Sequence, residues 1–147
     1  MILSDDNISE KIKLIYNNPG DLVQEAYSDN KGTLLRKVEY TYDGSGQKTG
    51  ERRYLGSQMQ DRYVYLYEDG LLRKIIRNDR QGRETVTNRY YYNETGQLLR
   101  EAWYNENAEN YSTREFTWDN RGNMVSVETY YATYEFQVLY RYDYSFF

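Results

Sequence analysis

Residues 90–98 read YYYNETGQL. In this motif the aromatic residue Tyr92 precedes a short turn that begins with an acidic or amide residue, and similar motifs recur along the whole chain. The aromatic residues that open these turns lie 26, 25, 25, 26 and 24 residues apart and are Tyr16, Tyr42, Tyr67, Tyr92, Trp118 and Tyr142. A fixed period in this range indicates one supersecondary unit repeated along the chain. The repeat therefore predicts an architecture, while it names neither a ligand nor a reaction.

A second set of turn residues lies about halfway through each period, at residues 27–32, 54–57, 78–82, 104–108 and 131–133. Turn signals thus recur every 11 to 15 residues, a spacing typical of short antiparallel strands joined by hairpins. Each repeat is then two strands and two turns, and the chain holds about 10 to 11 strands. The turn after Tyr67 lacks one residue and is predicted to be tighter than the other main turns.

The strands that enter the main turns alternate between two kinds of residue. Tyr40 and Tyr42, for example, alternate with Glu39 and Thr41, and residues at i and i+2 of a strand share one face. We expect the rings of successive repeats to pack on one another as a ladder on a dry face, with a wet face opposite. Lys48-Thr49-Gly50 lacks the apolar pair that begins the other leaving strands, which predicts a weak strand or an exposed edge.

The predicted fold is all-β: a repetitive antiparallel β-hairpin meander in a single curled or twisted sheet. Residues 1–147 form one domain. Residues 1–11 are a frayed or helical lead-in, and 140–147 are a terminal partial repeat that docks as a last strand or continues into a longer array. The five repeats span approximately 12–37, 38–62, 63–87, 88–113 and 114–139.

Composition limits both the core and the partners. There are 19 Tyr but two Trp and four Phe, and the mean hydropathy is −1.01, which together predict a thin core made largely of tyrosine. The net charge is −4 and charges of both signs are interspersed along the chain, so the sequence shows no basic patch of the kind that binds nucleic acid. No apolar run approaches the 18 residues of a membrane span, and residues 1–6 lack the pattern of a signal peptide.

The chain lacks the residue types that several classes of catalysis and metal binding require. The chain has no histidine and no cysteine, which removes histidine bases, thiol nucleophiles and the usual zinc ligands. The acidic residues recur in turns at equal spacing, where they suit turn chemistry better than a catalytic pair. We therefore expect no enzyme activity, no catalytic residue, no metal and no cofactor.

The aromatic surplus is the feature most open to a binding function, because exposed Tyr and Trp stack on sugar rings and are enriched at protein interfaces. We expect Tyr42, Tyr67, Tyr92 and Trp118 to belong to the core. The candidate ligand-binding residues are Trp103, Tyr104, Tyr130 and Tyr131. The expected partner is a protein or a carbohydrate, and unpaired edge strands also predict a possible homodimer.

Residues 40–46 (YTYDGSG), 90–98 (YYYNETGQL) and 116–124 (FTWDNRGNM) resemble the YD-repeat, or RHS-repeat, family, with departures in the Asp slot at Asn17, Glu68 and Asn93. The resemblance implies a continuous sheet of antiparallel hairpins in bacterial surface, secreted or toxin-associated proteins, here in a short, stand-alone form. The MORN-type repeat is a rival resemblance, carried by residues 67–74 (YEDGLLRK).

The first functional hypothesis is a non-enzymatic bacterial surface or secreted β-repeat module for protein or glycan binding or for scaffolding. The alternatives are an intracellular immunity or antitoxin-like protein that blocks a toxin through its sheet, and a carboxylate-dependent glycoside hydrolase. The family resemblance favours the cell surface, the extracellular space or the periplasm, whereas a native start at Met1 favours the cytoplasm.

Overall fold

The structure, a computed structural model, describes residues 10–144 of the chain. Its strands are β1 (Lys11–Tyr16), β2 (Leu22–Ser28), β3 (Leu34–Tyr42), β4 (Lys48–Leu55), β5 (Gln58–Glu68), β6 (Leu71–Asp79), β7 (Glu84–Tyr92), β8 (Leu98–Tyr104), β9 (Asn110–Trp118), β10 (Met124–Tyr131) and β11 (Phe136–Arg141). They form one open antiparallel sheet in chain order, β1 to β11. Within the described residues the only helical element is a 3-10 turn, Ala132–Tyr134.

The all-β hairpin meander predicted from the repeat is confirmed, and its 11 strands agree with the expected number. Contacts between Cα atoms divide the described residues into two compact units. Residues 10–65 with 77–84 are called unit 1 here, and residues 66–76 with 85–144 are called unit 2. The predicted domain and repeat boundaries remain predictions, and the predicted lead-in lies, from residue 1 to 9, outside the described residues.

Seven turns share one hydrogen-bonding arrangement, which explains the acidic or amide residue that begins each of them. In the turn after Tyr42, the backbone N–H of Asp43 donates to the carbonyl of Gln47 at 2.9 Å, and that of Gly46 donates to the Asp43 carbonyl at 3.1 Å. The Asp43 Oδ1 accepts from the N–H groups of Ser45 and Gln47 at 2.8 and 2.9 Å. Such bonds satisfy turn N–H groups locally. The other six turns begin at Asn17, Asp29, Asp79, Asn93, Asn105 and Asp119.

The turn after Tyr67 is shorter, as its missing residue predicted. β5 ends at Glu68 and β6 begins at Leu71, which leaves Asp69 and Gly70 as a two-residue turn with φ of 52° and 75°. Two consecutive positive φ angles define the type I′ turn, whose twist matches that of the flanking strands.

One turn holds alanine where the other six turns of this kind hold glycine. Ala108 has φ of 61°, in the left-handed region that disfavours a Cβ. We expect Ala108→Gly to raise the free energy of unfolding by about 0.5–1 kcal/mol, because relief of strain exceeds the entropy that glycine adds to the unfolded chain. Urea denaturation measures it. Gly82→Ala is the matched control: Gly82 has φ of +81° and open space around its Cβ position, so the substitution should destabilise by a similar amount. Destabilisation by Ala108→Gly would contradict this turn geometry.

Three rings of the main-turn slot are each anchored to a backbone carbonyl 20 residues earlier, at the start of the neighbouring strand. The bonds run from Tyr42 Oη to Leu22 at 2.8 Å, from Tyr92 Oη to Leu72 at 3.0 Å and from Trp118 Nε1 to Leu98 at 2.8 Å. All three residues are half-buried. The prediction that Tyr42, Tyr67, Tyr92 and Trp118 belong to the core holds in part, because all four side chains are half-buried rather than buried.

The last copy of this slot holds Tyr144, so the assignment of Tyr142 to it was wrong. Tyr144 Oη donates to the Met124 carbonyl at 2.8 Å, again 20 residues earlier, whereas Tyr142 donates its backbone N–H to Val125. The sequence suggested Tyr142 because Tyr142-Asp143 has the same two residues as Tyr42-Asp43, which begins one of the turns. The last strand, β11, spans Phe136–Arg141, so it includes only residues 140 and 141 of the segment 140–147 that was expected to dock as a last strand. Residues 145–147 lie outside the described residues.

Cations separate rings that the sequence predicted to pack directly on one another. Lys48 Nζ lies 5.2 Å from the ring centroid of Tyr40 and 4.4 Å from that of Tyr65. These tyrosines belong to β3 and β5, which are separated by β4. Two strand spacings are about 9.5 Å, too far for ring centroids that pair at about 4.5–7 Å. The expected direct packing of ring on ring is therefore replaced here by a cation between two rings.

The core is thin, as the composition indicated. Among residues 10–144 the buried hydrophobic side chains are Ala102 and Val127. The expectation of an exposed edge at Lys48-Thr49-Gly50 was wrong, because β4 lies between β3 and β5 and pairs with both, whereas the expectation of a weak strand stays a prediction. Gly50 has a packing reason: a Cβ there would lie 2.6 Å from Thr41 Oγ1.

Candidate binding surface

Strand register places tyrosines and carboxylates on one face of unit 1, called here its tyrosine face: Glu25, Tyr40, Glu51, Tyr63 and Tyr65. The opposite, polar face of unit 1 carries Gln24, Glu39, Arg52 and Arg62. In unit 2 the tyrosine face carries Tyr90, Glu101, Trp103, Arg114, Phe116 and Tyr131, and the polar face carries Arg89, Ala102, Thr113 and Tyr130. The two faces of each unit therefore differ in chemistry.

Glu51 is the best-paired acid of unit 1. Its side chain is only 6% exposed, and it accepts from Arg53 Nε at 2.6 Å, Tyr65 Oη at 3.0 Å and Lys48 Nζ at 3.2 Å. Burial opposes ionisation, but the hydrogen bond and charge of Arg53 hold the pKa of the Glu51 carboxyl below its usual value. Glu25 fills the same slot one repeat earlier and accepts from Tyr40 Oη at 2.9 Å. This slot of unit 1 holds carboxylates that tie strands together.

Glu101 fills the same slot in unit 2 but has lost most of these partners. Leu98, Trp103 and Phe116 stand where unit 1 has Lys48, Arg53 and Tyr65. Arg114 Nη1 lies 3.5 Å from Glu101 Oε2, and that buried oxygen accepts no hydrogen bond. Burial raises the pKa of Glu101 against the opposing charge of Arg114.

Trp103 adjoins this carboxyl on the tyrosine face of unit 2. The Arg114 guanidinium lies 5.3 Å from the Trp103 ring. When the Asn88 side-chain oxygen faces the indole, it accepts from Trp103 Nε1 at 2.9 Å. An indole fixed on its polar edge presents its ring as a rigid surface for contact.

The register joins Trp103 to Tyr131 through a small residue. Trp103 lies opposite Ser112, which lies opposite Tyr131, which lies opposite Phe136. Ser112 is buried, while Tyr131 and Phe136 are 37% and 55% exposed and stack with centroids 6.3 Å apart. Together with Glu101 and Arg114, these rings form what we call the aromatic row: Glu101, Trp103, Arg114, Tyr131 and Phe136.

The four residues singled out from the sequence do not form one surface. Trp103 and Tyr131 belong to the aromatic row, whereas Tyr130 lies on the polar face of unit 2, opposite Thr113. Tyr104 follows an irregularity in the register and lies opposite Asn110. Whether any of them binds a ligand stays a prediction. Sequence reasoning missed Glu101, Arg114 and Phe136, although aligning the repeats shows phenylalanine replacing tyrosine beside Glu101.

Tyr130 lines a separate cavity of about 400 Å³ on the polar face of unit 2. Its other lining residues include Arg100, Glu115 and Glu128. Glu115 and Glu128 stand directly opposite each other on β9 and β10. The two carboxylates and the tyrosine are therefore separated by the sheet from the aromatic row.

Both edge strands expose large apolar side chains. Ile12 on β1 and Tyr140 on β11 are 59% and 57% exposed, and each strand has one neighbour in the sheet. Lys11 and Lys13 add positive charge to β1, a feature that discourages pairing between edges. The homodimer expected from the sequence stays a prediction.

Within the described residues no helix is long and apolar enough to cross a membrane.

The fold has counterparts among solved structures. The crystal structure of TcdB2-TccC3 without its hypervariable C-terminal region matches 90% of this chain at 16% identity and a TM-score of 0.52. A porin-like protein from Bacteroides uniformis matches 88% at 13% identity and a TM-score of 0.50. The chain spans 9% of the first structure and 52% of the second, so the likeness concerns the fold alone. No protein-family model and no curated protein sequence matches the chain.

Proposed function

We propose that the chain is a non-enzymatic β-repeat module that binds a carbohydrate or a protein through the aromatic row of unit 2. The observation that carries this proposal is the exposed Tyr131–Phe136 stack on the same face as Trp103, Glu101 and Arg114. Its likeness in fold to TcdB2-TccC3 supports a module of this kind. By the resemblance of its turns to YD repeats, we propose a location at the cell surface, outside the cell or in the periplasm.

The chemistry of the row suits recognition. The rings of Trp103 and Tyr131 offer apolar faces, which stack on the C–H surfaces of sugars or on partner side chains. Arg114 supplies donors and Glu101 supplies an acceptor beside them.

We expect Tyr131→Ala to weaken ligand binding by about tenfold or more, since a stacked aromatic anchor contributes about 1–3 kcal/mol at an interface. Binding is measured on a glycan array and by capture of proteins from the source cell's envelope, followed by titration of the purified ligand. Tyr130→Ala is the matched control, because Tyr130 is the adjacent residue, is similarly exposed at 43%, and points to the polar face. Loss of binding on Tyr130→Ala alone would move the site to the polar face and overturn the proposal.

An immunity-like protein that blocks a toxin is the second candidate. The exposed apolar edge at β11 favours it, because an unpaired strand edge can pair with an extended segment of another protein. A ligand recovered in the capture experiment distinguishes the two candidate functions. If that ligand is a toxin, and its binding is retained in Tyr131→Ala but lost in Leu139→Pro in β11, the result would support binding at the strand edge. Leu139 is chosen because proline removes a backbone donor from the strand.

A further inference from the structure

Two arginines stand side by side on the polar face of unit 1. Arg52 on β4 lies directly opposite Arg62 on β5, and both side chains are exposed. They line a cavity of about 460 Å³ together with Gln24, Glu39, Thr41 and Thr49. Like charges directly opposite each other on neighbouring strands repel, so this placement works against the stability of the sheet.

Glu39 is the acid that faces this pair: the hydrogen bond from Lys37 is the main cause that lowers the pKa of its carboxyl, and the charge of Arg52 contributes. In residues 10–144 no carboxylate forms an ion pair with Arg52 or Arg62, whereas Lys48 and Arg53 on the other face share Glu51. The residue opposite Arg52 on β3 is Glu39. Its two oxygens already accept from Lys37 Nζ at 2.6 Å and from Tyr54 Oη at 2.8 Å. Two guanidinium groups that form no ion pair within the described residues therefore line the cavity beside Glu39, whose ion-pair partner is Lys37.

The repeat does not require these arginines. Two repeats further along, the corresponding pair on β8 and β9 is Ala102 opposite Thr113, and Ala102 is 1% exposed in a regular strand. The same register is thus made without any charge. The register of these strands therefore does not require a pair of like charges.

We propose that Arg52 and Arg62 form an anion-binding site for an acidic saccharide, one that bears a carboxylate or a sulfate. A guanidinium group binds either oxyanion with two parallel N–H bonds. The Gln24 amide and the Thr41 and Thr49 hydroxyls supply the donors and acceptors that sugar hydroxyls need. A cavity of this volume is within the range of small-ligand sites. The site lies in unit 1 and is independent of the aromatic row, so either can fail while the other stands.

The test is calorimetric titration of the whole chain with trigalacturonate and with a sulfated trisaccharide, with maltotriose and triglutamate as comparisons. We expect at least one acidic saccharide to bind, with affinity that falls as salt rises, and maltotriose to bind at least about tenfold more weakly. Which acidic probe binds more tightly distinguishes the carboxylate source from the sulfate source. Binding of triglutamate as tight as that of either saccharide would overturn the saccharide assignment, and absence of binding by every anionic probe at millimolar concentration would overturn the site.

Variants locate the site. Arg52→Ala and Arg62→Ala should each weaken binding at least about tenfold, and Arg62→Lys should weaken it less, because lysine keeps the charge without the paired donors. Arg89→Ala is the matched control, since Arg89 is an exposed arginine on the polar face of unit 2. Equal weakening by Arg89→Ala would show non-specific attraction and contradict the proposal. Far-UV circular dichroism and urea denaturation confirm that each variant is folded.

Discussion

Trp118→Ala lowers the free energy of unfolding by about 2–4 kcal/mol, the largest effect we expect from one side chain. The substitution removes a half-buried indole and its 2.8 Å hydrogen bond to the Leu98 carbonyl. It also leaves that carbonyl without its side-chain donor. Because the core of the described residues is thin, few other buried groups compensate. Equilibrium urea denaturation, followed by far-UV circular dichroism, measures the change.

Trp118→Tyr is the matched control, since Tyr42 and Tyr92 occupy the same slot and make the same bond with their hydroxyls. We expect its cost to stay below about 1.5 kcal/mol, the usual limit for a substitution that preserves shape and polarity in a core. An unfolding midpoint that Trp118→Ala leaves unchanged would show that this ring does not contribute to packing.

The two carboxylates of one repeat slot should respond to neutralisation with opposite signs at pH 7. Glu51→Gln is expected to destabilise by about 1–3 kcal/mol, because a well-paired buried carboxylate loses its charge-assisted bonds. Glu101→Gln should stabilise by up to about 1 kcal/mol, because its buried Oε2 accepts no hydrogen bond and a desolvated charge costs free energy. Paired denaturation curves of the two variants and the parent chain give both values.

The pH dependence provides an independent measurement. The pKa of Glu51 is lowered by folding, so its contribution to stability is present above the unfolded pKa of about 4.3 and is lost as pH falls through the folded value. The pKa of Glu101 is raised, so its contribution is present below about 4.3 and is lost as pH rises through the folded value. From pH 7 to pH 3, both Glu→Gln differences should therefore shrink toward zero, from opposite sides.

A stability difference of the same sign for both variants at pH 7 would contradict the account of this slot. Phe116→Tyr supplies a control at the level of one atom, because it places a hydroxyl where Tyr65 donates to Glu51. If that hydroxyl reaches Glu101, the destabilising charge gains a donor and the benefit of Glu101→Gln disappears in the Phe116→Tyr background.

The architecture could be predicted from the sequence because its determinants are local. An Asp or Asn such as Asp43 and a Gly such as Gly46 define a turn within five residues, and the period of the turns then defines the meander. Direct packing between rings could not be predicted in this way, because it depends on which strand lies between two repeats. Lys48 between Tyr40 and Tyr65 shows that the intervening strand decides.

The candidate sites were only partly accessible to the same reasoning. Tyr130 and Tyr131 were grouped because they are adjacent, yet adjacent residues of a strand point to opposite faces. Glu101 and the arginine pair required a comparison between repeats at equivalent register, which shows that Phe116 replaces a tyrosine and that Arg52 and Arg62 replace uncharged residues. The informative residues were those that depart from the repeat.

The ring-to-carbonyl bond that spans 20 residues links a hairpin only to the one before it. Interactions of such limited range make stability a sum over nearest neighbours. Duplication or deletion of one complete repeat in the gene would preserve every such link. Loss of half a repeat would leave a ring and a carbonyl at the junction without their hydrogen-bond partners. Repeat proteins of this kind can change in length during evolution while the binding specificity of individual repeats diverges.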